Sequence, residues 1–178
     1  MKDLDYYMTC FGSLHTNKAN GKKAPHKALL LLSVIDLIDY GFIQSPQIPL
    51  SDLLVKTFDK NSRTFYSNSL FFKPKIQYPF YHMQSEPFWR LVANAEAMGS
   101  MAAEGEGSYG ATKKSSPSAK KIRELYRFAE IDQELFNLLQ NQEARAVLRT
   151  HLISTYLNNQ HERFRFISLP LFITALAI

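Results

Sequence analysis

The sequence predicts a mostly helical α+β single domain with a small antiparallel sheet. Three observations lead to this fold class: apolar residues recur at helical spacing in several segments, aromatic residues and prolines concentrate in the middle, and a length of 178 residues suits one domain. Hydrophobic residues make up 46% of the chain and charged residues 21%. This balance is typical of a globular protein and excludes a disordered chain.

The first two predicted helices are separated by a polar stretch that contains a glycine. Residues 3–16 form the first, because apolar side chains recur there at helical spacing: Leu4, Tyr7, Phe11 and Leu14. Pro25 suits the first turn of the second helix, where an N–H would have no partner in any case. From residue 28 to residue 38 this helix is apolar nearly all round, so we expect it at the centre of the core. Gly41 is a natural stop just past its end.

A helix-turn-helix or winged-helix-like element is predicted next. Ser51 is a good N-cap for a short helix over residues 52–60, and a short extended piece precedes it. A long helix, an extended piece and a capped second helix resemble a helix-turn-helix variant. Residues 63–92 follow, and their aromatic residues, punctuated by prolines, predict short strands with irregular connections. The small, glycine-rich residues 94–112 predict a loop.

Three helices and an apolar tail complete the chain. A Ser-Pro pair at residue 116 opens a helix of about ten residues, Asp132 caps another, and residues 141–157 form a third, amphipathic helix. The tail, residues 159–178, is strongly apolar from residue 164 onwards and is expected to pack on the domain or on a partner, because an exposed segment of this kind promotes aggregation. We therefore divide the chain into a domain, residues 1–158, and this tail.

The distribution of charge favours a polyanionic partner. The net charge is +5, from 21 Lys and Arg residues against 16 Asp and Glu residues. Ten of the basic residues lie in two runs, residues 18–27 and 113–127, each at a loop that leads into a helix. The alternative is that both runs are solvated, lysine-rich loops.

No catalytic, metal-binding or cofactor-binding constellation is found in the sequence. The five histidines show no HExxH spacing, the single cysteine, Cys10, cannot build a thiolate metal site alone, and phosphate-loop and GxSxG motifs are missing. We therefore predict no enzyme, no metal and no cofactor. A membrane partner is not expected either, because no stretch reaches the roughly 20 apolar residues of a membrane span. The N-terminus carries acids rather than the basic stretch of a secretory signal, so a cytoplasmic location is expected.

Two segments of the chain carry a resemblance to a known family. Residues 24–32 read Ala-Pro-His-Lys-Ala-Leu-Leu-Leu-Leu, and residues 78–83 read Tyr-Pro-Phe-Tyr-His-Met. They resemble the DNA sulfur-binding domain of HNH restriction endonucleases that attack phosphorothioate-modified DNA. The resemblance covers about residues 3–158 and continues in the same order through later segments: residues 87–91, 116–139 and 141–157.

The resemblance implies a site for a sulfur atom that replaces one non-bridging phosphate oxygen. It carries Tyr78 and Pro79 onto the wall of a small hydrophobic cavity and His26 and Lys27 onto its basic rim. His82 corresponds to the loop that closes the cavity. The loop over residues 113–118, ahead of the helix that opens near residue 116, resembles the family's segment that reaches DNA bases and phosphates. Together with the first basic run, it gives the residues expected to contact DNA: Lys22, Lys23, Lys113, Lys114, Ser115, Ser116 and Ser118.

The residue types at this site fit the chemistry of sulfur. Sulfur is larger, softer and less hydrated than oxygen, so an apolar wall costs it less desolvation. Burying a phosphate oxygen there without a hydrogen bond costs about 1–3 kcal/mol, which allows discrimination of up to about a hundredfold. Affinity comes separately, from lysines that neutralise phosphates.

The resemblance implies recognition of double-stranded, phosphorothioate-modified DNA in restriction or defence, in a bacterial or archaeal cytosol. Family members commonly continue into an HNH nuclease domain, which this sequence lacks, so a nuclease partner or a homodimer is an open expectation. One alternative is a winged-helix-like binder of unmodified or otherwise modified DNA. Another is an interaction subunit of a nuclease complex. Without the resemblance, Pro25 simply starts a helix, and Tyr78 is a core aromatic before a proline that ends a strand.

Overall fold

A computed structural model describes residues 2–19, 22–66, 74–95 and 117–157. It confirms a mostly helical α+β fold with a small antiparallel sheet. The helices of the described residues are α1 (Leu4–Gly12), α2 (His26–Asp39), α3 (Asp52–Tyr66), α4 (Gln77–His82), α5 (Ala119–Leu125), α6 (Gln133–Gln140) and α7 (Gln142–Leu152). The strands are β1 (Lys18–Ala19), β2 (Lys22–Lys23), β3 (Gln47–Ile48), β4 (Trp89–Ala93) and β5 (Tyr126–Ile131).

Two of the predicted features lie outside these residues. They are the apolar tail, residues 159–178, and the glycine-rich loop from residue 96 onwards. Of the helices that the structure describes, none combines the length and the apolar character needed to cross a membrane.

Helix α2 lies at the centre of the core, as its apolar sequence predicts. Its residues from Lys27 to Ile38 are buried except Asp36, and it packs against α3, α4, α6 and α7. After its end, Gly41 adopts a φ of 73°, in the left-handed region that glycine occupies without strain. The predicted stop is therefore confirmed.

Replacing Gly41 with alanine is expected to lower the free energy of unfolding by about 1–2 kcal/mol, because an L side chain is strained at this φ. A Cβ at this position would meet no atom within 4 Å, so the cost comes from the backbone alone. Urea unfolding measures the change. Gly41→Asn is the matched control and should lose less, since asparagine tolerates the left-handed region. Equal losses in the two variants would contradict this explanation.

The order of helix, extended piece and helix predicted around Ser51 is confirmed. The Ser51 hydroxyl accepts a hydrogen bond from the Leu54 backbone N–H at 3.2 Å, which is the predicted N-cap. Helix α3 is longer than expected, since it continues to Tyr66. Helices α2 and α3 pack together, and β3 between them joins the sheet. A role of this element in reading DNA stays a prediction.

The prediction of strands throughout residues 63–92 is wrong. Residues 77–82 form helix α4, and within the described part of this segment only residues 89–92 belong to a strand, β4. Pro79 is tolerated in α4 because it lies in the first turn, where backbone N–H groups have no partner within the helix.

Strand β5 is the central strand of the sheet and was not predicted. It pairs antiparallel with β3 on one side and β4 on the other. The helix that opens near residue 116 ends at Leu125, so residues 126–131 are free to take these two partners. The strand depends on pairing with segments that are distant in sequence, which a local pattern does not show.

The last two helices begin where the sequence predicts. Asp132 stands at the N-cap of α6, but its carboxylate accepts hydrogen bonds from the Tyr7 hydroxyl at 2.9 Å and from Lys2 Nζ at 2.7 Å, not from the helix. Helix α7 continues into a π-helical turn, Ile153–Leu157. The hydrogen bonds of Asp132 with Lys2 and Tyr7 hold the N-terminal segment of the chain against the start of α6.

Candidate functional site

A cavity of about 340 Å³ lies where α2, α4 and the segment before β1 meet. All five residues that the resemblance places at the sulfur site line it: His26, Lys27, Tyr78, Pro79 and His82. The other lining residues were not predicted from the sequence: His15, Thr16, Asn17, Ala24 and Ser85. Two segments far apart in sequence therefore converge on one cavity.

Helix packing explains this convergence. His26 and Lys27 are the first two residues of α2, and α2 contacts α4 directly. Phe80 anchors α4 in the core, where its ring meets that of Trp89 edge-on at 5.6 Å between centroids. With α4 held in this way, Tyr78 remains 40% exposed while Pro79 is buried. An exposed aromatic ring and a buried pyrrolidine ring thus stand side by side at the cavity.

The N-terminus of α2 contributes a positive electrostatic potential. Pro25 stands at the N-cap and has no side-chain acceptor for the first-turn N–H groups. The free N–H groups of a helix N-terminus and the helix dipole favour an anion at this position. The cavity therefore adjoins a backbone feature suited to a phosphate group.

Lys27 is buried and ion-paired, which differs from the exposed cation expected at a basic rim. Its Nζ donates hydrogen bonds to Glu86 Oε1 at 2.5 Å and to Ser85 Oγ at 2.8 Å. The side chain of Lys27 is 8% exposed and that of Glu86 is 2% exposed. The charge of this lysine is thus compensated inside the protein.

Glu86 has further partners on another segment. It accepts hydrogen bonds from the backbone N–H of His15 at 3.0 Å and from Nδ1 of the same residue at 3.2 Å. Burial would raise the pKa of Glu86, but the hydrogen bond and charge of Lys27, with the His15 bonds, outweigh it and lower the pKa. Glu86 is therefore ionised at neutral pH. This residue was not predicted as part of the site, although it is the only acid between Asp59 and Glu96 in the sequence.

Two of the three histidines that line the cavity, His26 and His82, are neutral at neutral pH. Burial lowers the pKa of His26, and burial together with the charge of Lys27 lowers the pKa of His82. With the Lys27–Glu86 pair compensated, these side chains bring no net charge to the cavity walls.

The lowered histidine pKa values predict that the folded protein loses stability below about pH 6.5. The unfolded chain binds protons there that folded His26 does not bind, so the free energy of unfolding falls as the pH falls. Urea unfolding at about pH 7.5 and about pH 5.5 measures this dependence. His26→Gln should lose less stability over the same interval. An equal loss in wild type and variant would show that His26 does not contribute.

The residues expected to contact DNA are described only in part. Lys23, in the β1–β2 hairpin, is exposed, and its Nζ lies 5.1 Å from the centroid of the Tyr156 ring. Ser118 is the N-cap of α5 and accepts a hydrogen bond from the Lys121 backbone N–H at 3.2 Å. The backbone of Lys22 belongs to β2. The remaining members of the set lie outside the described residues: Lys113, Lys114, Ser115 and Ser116.

Two other cavities, of about 460 Å³ each, contain none of the predicted site residues. One lies beside β4 and the start of α6, and the other lies beside β3 and the start of α3. Across residues 2–19, 22–66, 74–95 and 117–157, no group of three or more His, Cys, Asp or Glu side chains is placed to hold a metal ion.

The fold has a counterpart in a solved structure that contains modified DNA. Neither a protein-family model nor a curated protein matches the chain. The fold is similar to that of a DNA sulfur-binding domain. The similar structure is the sulfur-binding domain of ScoMcrA, solved in complex with phosphorothioated DNA. The two chains are 17% identical, the match covers 93% of this chain and 91% of that one, and the TM-score is 0.57. The resemblance inferred from the sequence is thus confirmed at the level of the fold.

Proposed function

We propose that this protein is a non-catalytic module that binds double-stranded, phosphorothioate-modified DNA and seats the sulfur atom in the cavity between α2 and α4. The observation that carries the proposal is the convergence of His26, Lys27, Tyr78, Pro79 and His82 on one cavity. The similarity of the fold to a domain solved with phosphorothioated DNA supports it.

The chemistry of the cavity favours sulfur over oxygen. Tyr78 and Pro79 present apolar ring surface, on which a phosphate oxygen would lose its water without gaining a strong donor. This loss costs about 1–3 kcal/mol, whereas sulfur, which is less hydrated, loses less. The N-terminus of α2 stabilises the negative charge of a phosphate and of a phosphorothioate alike, so it contributes affinity more than discrimination.

Affinity for the duplex comes from the basic loops. Lys22 and Lys23, on the hairpin that follows the segment lining the cavity, and Lys113 and Lys114 would neutralise backbone phosphates. Such contacts position a protein on DNA without reading its sequence. Discrimination and affinity would therefore belong to different residues.

We further propose that the module serves restriction of modified DNA in the cytoplasm. Cleavage would come from a nuclease partner or from a homodimeric assembly that recruits one. This part of the proposal is supported by the family resemblance of residues 24–32 and 78–83.

A gel-shift comparison of matched duplexes, with and without a single Rp sulfur, tests the proposed function. The sulfur-containing duplex is expected to bind more tightly at every salt concentration, because the cavity acts on one atom while the lysines act on both duplexes alike. Equal affinity for the two duplexes would contradict the proposal and favour a binder of unmodified DNA. Binding to neither would favour an interaction subunit.

A further inference from the structure

Glu86 is not among the residues that line the cavity, yet its carboxylate joins the segments that form the cavity walls. It accepts hydrogen bonds from Lys27 on α2 and from His15 ahead of the β1–β2 hairpin, at 2.5 to 3.2 Å. Ser85, its neighbour, lines the cavity, accepts a hydrogen bond from the same ammonium, and donates to the His82 carbonyl oxygen at 3.0 Å. Three walls of the cavity thus meet at one buried carboxylate.

We propose that Glu86 is a positioning residue that determines the specificity of this cavity for sulfur, an inference that rests on the proposed function. Glu86 keeps the charge of Lys27 compensated, so this ammonium has no uncompensated charge to offer an unmodified phosphate oxygen. Glu86 also fixes the spacing between the start of α2 and the segment that contains His15.

The reason lies in the different affinities of an ammonium group for oxygen and sulfur. A free ammonium forms short, strong hydrogen bonds with an anionic oxygen, and such bonds would repay the desolvation of a phosphate. The Lys27 ammonium already donates to Glu86 and to Ser85. An entering oxygen therefore loses water without gaining a full ion pair, whereas sulfur has less hydration to lose.

Glu86→Gln tests this inference, because it keeps the shape of the side chain and removes its charge. The preference for the sulfur duplex is expected to fall about tenfold, with tighter binding of the unmodified duplex, since a tenfold change is within the cost of burying one polar group. The slope of log affinity against log salt should steepen by about one phosphate contact. A purely structural role would weaken binding to both duplexes and leave the slope unchanged.

Two further variants show whether the changes in sulfur preference and in salt slope come from the Glu86–Lys27 pair. Glu130→Gln is the matched control, because Glu130 pairs with Arg90 on the sheet and does not line this cavity. It should leave preference and slope unchanged. Adding Lys27→Met to Glu86→Gln should return the slope to the wild-type value, because the added slope is attributed to Lys27.

The outcomes separate this inference from the proposed function. If wild type prefers sulfur and Glu86→Gln retains both the preference and the slope, the role of Glu86 is overturned and the proposed function stands. If wild type shows no preference, the proposed function itself is overturned. If circular dichroism shows that Glu86→Gln is unfolded, Glu86→Asp takes its place. Glu86→Asp keeps the charge but shortens the side chain. The slope of log affinity against log salt should therefore stay at the wild-type value, and the preference for the sulfur duplex should fall about threefold or more. An unchanged preference overturns the inference.

Discussion

Replacing Lys27 with methionine is expected to lower the free energy of unfolding at neutral pH by about 3–5 kcal/mol, because removal of one partner from a buried ion pair leaves the other charge uncompensated. Methionine is apolar and nearly as long as lysine, so the helix and the packing are retained. Glu86 keeps its hydrogen bonds from His15 and from the Ser85 hydroxyl, but no cation balances its charge. Urea unfolding followed by circular dichroism measures the loss.

The loss should depend on pH in a defined direction. In wild type the pKa of Glu86 lies below its ordinary value of 4.5, so its stabilising contribution is complete above that value and is lost as the pH falls further. In Lys27→Met, burial acts without the lysine and raises the pKa of Glu86. The carboxyl group then takes up a proton on mild acidification, and the difference in stability between variant and wild type shrinks.

Lys121→Met is the matched control, because Lys121 pairs with Glu124 at 3.5 Å on an exposed helical surface. An exposed pair contributes about 0–1 kcal/mol, so this variant should unfold almost as wild type does. Combining Lys27→Met with Glu86→Gln should recover much of the lost stability, since neither charge is then left unpaired. If Lys27→Met matched the Lys121→Met control, the pair would not be buried as the structure shows it.

Elements specified by local signals could be predicted from the sequence. The apolar run of α2, the glycine at residue 41 and the cap at Ser51 are each signals within a single helix or at its end, and all three predictions are confirmed. Strand β5 depends instead on pairing with β3 and β4, which are distant in sequence. Its residues had no local signal that outweighed the preceding helix, so this strand was missed.

The same distinction applies to the site. Tyr78 and Pro79 were placed on the cavity wall through the family resemblance, while the local pattern around them wrongly predicted a strand. Glu86 could not be assigned because its partners, His15 and Lys27, approach it only in the folded chain. The compensated charge of Lys27 follows from that pairing, whereas the family resemblance implied a cation on the basic rim.

Pro79→Ser is expected to reduce the preference for sulfur-modified over unmodified DNA by about tenfold or more, while total affinity for the unmodified duplex changes less. The substitution places a hydroxyl group where the pyrrolidine ring now lines the cavity. A hydroxyl can donate a hydrogen bond to a phosphate oxygen and so removes the desolvation cost on which the discrimination depends. The same gel shift, with both duplexes and a salt series, measures the change.

The fold should tolerate this substitution, because Pro79 lies in the first turn of α4 and Phe80 still anchors that helix. Pro87→Ser is the matched control, since Pro87 is exposed and lines a different cavity. Its sulfur preference should equal that of wild type. The slope against salt should be unchanged in both variants, because neither alters a charge. If Pro79→Ser folds and keeps the full preference, sulfur does not contact this wall, and the discrimination must arise from a different group of the cavity.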